Sequence, residues 1–220
     1  DPGFGLAVLA HSFLFAHNLW INGSEAQSAR FLPEVVEGKK IAGMCMTEPA
    51  VGTDVLAMQT RARPAGEGWV LDGVKTYITN GGVDAETLGD VFIVYAATGE
   101  RSLSAFLVEK GMAGFRLGQK WVDKLGMRAS FTAELVFDGV RVPAENLMGE
   151  VGQGTRHMMR NLEIERVGLA AMSLGIARRC IEIMNRYAQE RKSFGKPLNH
   201  FGQIQKHIAD SYAEFMAGRS

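Results

Sequence analysis

The stretch whose reading decides the fold runs Met44-Cys-Met-Thr-Glu-Pro-Ala-Val-Gly-Thr-Asp54. Upstream of it the sequence reads helical. Downstream, for about a hundred residues, it reads as β. The stretch itself opens as a strand: Ile41, Gly43, Cys45 and Thr47 alternate with Ala42, Met44 and Met46, and neither set is charged. Pro49 then removes a backbone donor, and Gly52 supplies a permissive turn. A buried strand therefore runs into a loop bearing hydroxyls (Thr47, Thr53), acids (Glu48, Asp54) and free backbone N–H groups. Such a loop can hold a polar ligand against an apolar wall. An ordinary strand exit capped by Thr and Asp accounts for the same residues.

Outward from this stretch, the residues on its N-terminal side, 4–20, carry no charge and are dominated by Leu, Ala, Phe, Val and His. A helix apolar nearly all round is buried, or packs on something outside this chain. Asn22-Gly23 ends it. Ser24, with Gln27 three residues on, marks a capping box and a second short helix to about Gly38. His11 and His17 lie six apart and share no helix face, so they read as core or interface histidines and not as metal ligands.

On the C-terminal side, residues 40–148 carry the β signals. Trp69 to Leu71, an Asp72-Gly73 turn and Val74 to Thr79 predict a hairpin. Asp90 to Ala97, Leu103 to Glu109, Phe115 to Lys120 and Ala133 to Phe137 predict further strands. Asp138-Gly139 reads as a turn before a short piece, Val140 to Pro143. Strands at this spacing predict an antiparallel barrel or sandwich. No G-x-G-x-x-G follows a strand and opens a helix, which argues against a nicotinamide site. From Thr155 to Arg191 the pattern is helical again, with a loop to His200 and a last helix from about Phe201. The expected fold class is therefore α+β, as a partial helical domain (1–39), a middle β domain (40–149) and a partial helical bundle (150–220).

Bulk composition narrows the function classes. The chain has 220 residues, with 24 Lys+Arg against 24 Asp+Glu. A nucleic-acid partner would normally show a basic excess. Two distant cysteines, Cys45 and Cys180, sit among apolar residues and suggest a reducing compartment, not a secreted one. No run of about twenty apolar residues is evident, so no membrane span is expected. The chain starts at Asp1 without an initiator Met and stops within a helical pattern at Ser220, which reads as a fragment.

Glu165 is the residue that asks for an explanation. It falls on a stripe with Met158, Leu162, Leu169, Met172 and Ile176, and has no Lys or Arg at i+3 or i+4. A carboxylate there is desolvated and poised to take a proton near neutral pH. Gly168 beside it clears room on the helix surface. Structural pairing with an acid-binding group from another element, such as Arg128, is the alternative. Glu163, by contrast, can pair with Arg166 as an ordinary helix acid.

The motifs together resemble the acyl-CoA dehydrogenase family. They are Met46-Thr-Glu-Pro-Ala-Val-Gly-Thr-Asp54, Lys75-Thr-Tyr-Ile-Thr-Asn-Gly81, Lys124-Leu-Gly-Met-Arg-Ala-Ser130 and Glu190-Arg-Lys-Ser-Phe-Gly-Lys-Pro197, in that order. Ala10-His-Ser, Asn22-Gly-Ser-Glu-Ala-Gln27 and Leu162-Glu-Ile-Glu-Arg166 resemble most its isovaleryl-type branch.

The resemblance implies N-terminal helices, a middle antiparallel β-barrel and a C-terminal helical bundle, with FAD between the last two. It implies flavin contacts from Met44, Met46, Thr47, Tyr77, Ile78 and Thr79. Gly52 and Thr53 would lie near the phosphates and the thioester, and Glu163 and Arg166 near the CoA portion. Arg191 would reach the FAD of a neighbouring subunit, which implies a homo-oligomer, usually a tetramer. Many members carry a Gln directly after the Phe that Phe201 matches; here Gly202 stands there, so either Gln203 substitutes or the adenine contact is looser. In the isovaleryl-type branch the base lies at the position of Glu165; elsewhere in the family it lies nearer the C-terminus. The implied activity is α,β-dehydrogenation of an acyl-CoA, with electrons passed to an electron-transfer flavoprotein, in bacterial cytoplasm or mitochondrial matrix. A flavin monooxygenase of the same fold and a non-catalytic member are the alternatives.

Overall fold

A computed structural model describes residues 1–84 and 86–220. It divides into two compact units, Asp1–Glu165 and Arg166–Ser220.

In the first unit a continuous helical rod runs through α1 (Pro2–Leu9), a π-helical segment (Ala10–His17) and α2 (Asn18–Asn22). Its 21 residues are long and apolar enough to cross a bilayer by length and composition alone. This amends the expectation that no such run exists. One face of the rod is nonetheless core: Phe15 and Leu19 are buried against the sheet, as is the polar Asn18. The π segment widens the turn and rephases the side chains, so Phe15, Asn18 and Leu19 all reach that core. The rod ends at Gly23. Helix α3 (Glu25–Val36) starts on the expected capping box, in which Ser24 Oγ accepts from Gln27 N and Gln27 Oε1 from Ser24 N.

Eight strands follow: β1 (Ala42–Cys45), β2 (Arg61–Ala65), β3 (Gly68–Thr79), β4 (Val91–Gly99), β5 (Ser102–Glu109), β6 (Phe115–Trp121), β7 (Thr132–Pro143) and β8 (Leu147–Met148). They form one sheet in the order β6-β7-β3-β2-β4-β5-β8, with β1 also paired to β4. The α+β class and the helix–strand–helix order stand, but the sheet is open, not closed into a barrel. Nor is it wholly antiparallel: β1 and β2 both run parallel to β4. Alternation in single strands carries no information on closure, which depends on the partners of the two end strands.

Strand β4 is central, and Val91 to Ala97 is buried on both faces. Its odd residues, Val91, Ile93, Tyr95 and Ala97, face the helical rod and α3. Its even residues, Phe92, Val94 and Ala96, meet Leu71, Phe115, Leu135 and Phe137 from β3, β6 and β7. That two-sided burial explains a continuous apolar run where a half-exposed strand would alternate.

Two expected turns are bulges. Asp72-Gly73 does not close a hairpin; β3 continues through it, and the turn into β3 lies at Ala65 to Gly68. Asp138-Gly139 likewise lies inside β7. Leu71 pairs with Val140 and Gly73 with Phe137, so Asp72 opposes two residues, and its Oδ1 accepts from Gly139 N at 2.8 Å. Asp-Gly suits a bulge as well as a turn. Gly73 is required here, because at φ 150° an added Cβ would sit 2.6 Å from the Thr60 Cα.

In the second unit, the long helix α4 (Gly154–Glu190), which begins in the first unit, continues to a small hairpin, β9 (Lys192–Ser193) with β10 (Lys196–Pro197). The expected Arg191–His200 loop contains that hairpin. Helix α5 (Gly202–Arg219) follows.

Candidate functional site

Two of the motif stretches meet at the exit of β1. The Thr76 N–H donates to the Thr47 carbonyl at 2.9 Å. One residue earlier, the Lys75 ammonium donates to the Met46 carbonyl at 3.2 Å and to Glu48 Oε1 at 2.8 Å. Both charged side chains are withdrawn from water, at 0% and 3% exposure. The other face of the Glu48 carboxylate accepts from the backbone N–H groups of Gln59 and Thr60, at 2.6 and 2.9 Å. Burial disfavours the Glu48 charge, but Lys75 and these donors outweigh it and hold the carboxyl below its usual range. Glu48 is thus a structural acid, tying the 46–51 loop to β3.

Beyond that tie the backbone becomes irregular. A bulge between Lys75 and Ile78 sets Thr76 and Tyr77 against one residue of β7. Tyr77 adopts φ 57°, a strained value for a bulky residue. The bulge throws its ring outward, 62% exposed, against Trp121 with centroids 4.6 Å apart. Thr47 and Thr79 are half-buried, and no bond to either hydroxyl is formed among the described residues. Gly52 and Thr53 are exposed, with open space where a Gly52 Cβ would stand.

The side chains of Met44 and Ile78 sit elsewhere. Both are buried, Met44 beneath the helical rod and Ile78 in the second core. Neither side chain is presented at this surface. Met46 is half-buried and rims the same core as Met44.

Glu165 lies on the face of α4 that begins with Met158, Asn161 and Leu162. Met158 and Asn161 are buried, and Leu162 packs on the rod-and-sheet core. Glu165 follows Asn161 by four residues and is half-buried. Asn161 Oδ1 meets His17 Nδ1 at 3.4 Å. Across the core stands Tyr95, whose phenol is raised well above its ordinary range. Burial is the main cause; the Asn18 amide opposes it, and the charge of Glu165 adds to it. Arg128, the partner considered from sequence, is engaged by Asp123 at 2.8 Å and the Lys124 carbonyl at 2.7 Å.

His11 accepts from Ala42 N at 3.2 Å and meets the Val35 carbonyl at 2.9 Å, a tie between the rod, α3 and β1. Among the described residues no group of three metal-ligating side chains converges. Glu163 and Arg166 are both exposed, and among the described residues no ion pair joins them. Arg166, Arg191 and Gln203 belong to the second unit. There Arg191 is exposed just past the end of α4, its backbone N–H donating to the Tyr187 carbonyl at 2.9 Å. Gln203 is exposed in the first turn of α5.

Sequence reasoning placed Lys75 inside a motif without a role, and gave none to Asn18, Tyr95 or Trp121. Lys75 had a signal, a lone cation in a strand alternating with apolar residues. Asn18 and Tyr95 meet across 77 residues of chain, which no local pattern reports.

Residues 43–140 match the acyl-CoA dehydrogenase middle domain and 152–220 its C-terminal domain. The chain is 41% identical over 220 residues to the mitochondrial isovaleryl-CoA dehydrogenase of Oryza sativa subsp. japonica, covering 98% of this chain and 52% of that protein. Its structure is similar to butyryl-CoA dehydrogenase from Megasphaera elsdenii, with TM-score 0.94 and 39% identity over 100% of this chain and 57% of the other. It is also similar to a glutaryl-CoA dehydrogenase from Mycobacterium smegmatis in complex with FADH2, with TM-score 0.91 and 35% identity over 99% and 54%. The chain spans about half the length of these relatives. With its two domain matches and 41% identity across nearly its whole length, the chain belongs to the acyl-CoA dehydrogenase family.

Proposed function

We propose that the protein carrying this chain is an FAD-dependent acyl-CoA dehydrogenase that converts a short or branched acyl-CoA to its trans-2-enoyl-CoA. The observation that carries this is the joining of the 46–54 and 75–79 stretches by Lys75, Glu48 and the Thr76–Thr47 bond. It leaves half-buried Thr47 and Thr79 hydroxyls and an exposed, uncrowded Gly52-Thr53 turn beside an outward-turned aromatic ring. Such a set fits a group with a planar polar ring system and phosphates.

In this reading Thr47, Tyr77 and Thr79, with Met46 and the backbone of Met44 and Ile78, hold the isoalloxazine end of FAD. Gly52 and Thr53 receive phosphate and thioester, and Glu163 approaches CoA; on the second unit, Arg191 serves the FAD of a neighbouring subunit. Bound FAD would supply the hydride acceptor for the β-hydrogen of the substrate. Glu165 takes the α-proton. Its apolar helix face keeps water from the carboxylate, which makes it a stronger base than an exposed acid. An electron-transfer flavoprotein would be the electron acceptor partner, and the active form is a homotetramer. The compartment is the mitochondrial matrix or a bacterial cytoplasm, since the relatives include a mitochondrial protein and a bacterial one.

The test is anaerobic mixing of the full-length holoprotein with straight and branched acyl-CoAs, followed by flavin absorbance. Bleaching by one of them is expected, and its absence with all of them would remove the dehydrogenase reading. Glu165→Gln should retain flavin and lose at least about a thousandfold in α-proton exchange. Full exchange activity would place the base elsewhere.

A further inference from the structure

Two aromatic rings stand on the outer face of the sheet, away from its core. Strand β7 runs between β3 and β6, and the register sets Thr79, Thr132 and Trp121 in one row across the three strands. Paired residues share a face of the sheet. The intervening residues of β7, Ala133 and Leu135, are fully buried, so the row lies on the opposite face. Tyr77 and Thr79 already belong to the cofactor wall proposed above. Trp121 extends that wall two strands further.

Both neighbours of β7 bulge at the same point. On β3, Thr76 and Tyr77 oppose Glu134 alone, between the Lys75–Leu135 and Ile78–Ala133 pairs. On β6, Gly118 and Gln119 oppose the same Glu134, between the Leu117–Leu135 and Lys120–Ala133 pairs. The Gln119 N–H donates to Glu134 Oε1 at 3.4 Å, and a Cβ on Gly118 would collide with that carboxylate. Strands two apart in a sheet lie about 10 Å from one another, yet the Tyr77 and Trp121 ring centroids are 4.6 Å apart. The rings lean toward each other over β7. Tyr77 holds φ 57° in this arrangement and stays 62% exposed, so burial does not offset its backbone strain. Strain kept at an exposed ring points to a use for that ring. Trp121 is the anchored partner. It is half-buried, and the chain after it is tied back by the Lys124 ammonium, which donates to Thr132 Oγ1 at 2.7 Å and to the Ser130 carbonyl at 2.6 Å.

We propose that Trp121 is a positioning residue for the cofactor wall: its indole fixes the direction of the Tyr77 ring before flavin binds. The proposal rests on the flavin reading above. An exposed side chain that must be ordered when a ligand arrives lowers affinity, and contact with Trp121 orders this one beforehand. The contribution of Trp121 to FAD binding therefore passes through Tyr77.

The contact is read without cofactor in the flavin-free full-length protein labelled with fluorotyrosine. The Tyr77 fluorine resonance, identified by its loss in Tyr77→Ala, should move toward the position of free fluorotyrosine in Trp121→Leu. Titration of the same proteins with FAD should show Trp121→Leu weakening the dissociation constant by about three- to tenfold, and Trp121→Phe recovering most of the loss. In a Tyr77→Ala background, Trp121→Leu should add nothing, whereas a merely structural role would give the same loss there. Trp121→Thr, which suits a strand, takes the place of Trp121→Leu if that variant does not fold. Unchanged FAD affinity in the folded variant, or an equal loss with and without the Tyr77 ring, overturns the proposal. A parent protein that takes up no FAD would overturn the flavin reading and this assignment together, so the behaviour of the parent tells the two failures apart.

Discussion

Lys75 and Glu48 show how much one buried pair can decide. Each is costly to bury alone, and together they join two segments 27 residues apart in sequence. Lys75→Met would leave the Glu48 charge buried without its cation, a loss of about 3–5 kcal/mol. Adding Glu48→Leu should recover part of it, and urea denaturation of the single and double variants measures both. Acid should act on the same tie. The folded-state pKa of Glu48 lies below its ordinary value, so its contribution is present above the unfolded-state carboxylate pKa and is lost as pH falls through the lowered folded value. The difference in stability between the parent chain and Lys75→Met should therefore shrink on acidification. An acid on an exposed loop and an acid in a sealed ion pair look alike in sequence, because the cation arrives from another strand.

Elements were legible where their signals are local. The Ser24–Gln27 capping box was readable because its partners lie three residues apart. Ser24→Ala should cost about 1 kcal/mol in thermal or urea unfolding. Gln27 also donates to the Glu145 and Leu147 carbonyls, at 2.7 and 2.8 Å, so Gln27→Ala should cost more than the cap alone. The Asp72-Gly73 and Asp138-Gly139 dipeptides were misread for a related reason. A turn and a bulge ask for the same residues, and only the facing strand distinguishes them. Gly73→Ala, which would press a Cβ into the Thr60 backbone, should cost more than the roughly 1 kcal/mol of an unconstrained Gly–Ala exchange. The same denaturation series reads it.

At the scale of the whole molecule, burial is uneven. Strands β4 and β5 hold a run of fully buried residues, whereas helix α5 buries none. Backbone amides in β4 and β5 should therefore exchange with solvent only on global opening, and those of α5 through local opening. Hydrogen exchange read by mass spectrometry on this 220-residue chain should find α5 deuterated by orders of magnitude sooner. Equal protection would show that the two units open together.

The amino-acid sequence by itself determined the helix–strand–helix order, the Ser24–Gln27 cap and the family. These rest on periodicity, turn chemistry and contiguous motifs, all of which act over a few neighbouring residues. Tertiary structure alone decided that the sheet stays open and that two of its pairings are parallel. It also decided that Glu48 is sealed by Lys75, that Met44 and Ile78 turn inward, and that Asn18 meets Tyr95 inside the core. Each of these depends on which distant surface arrives to exclude water, and that is settled only when the chain has packed.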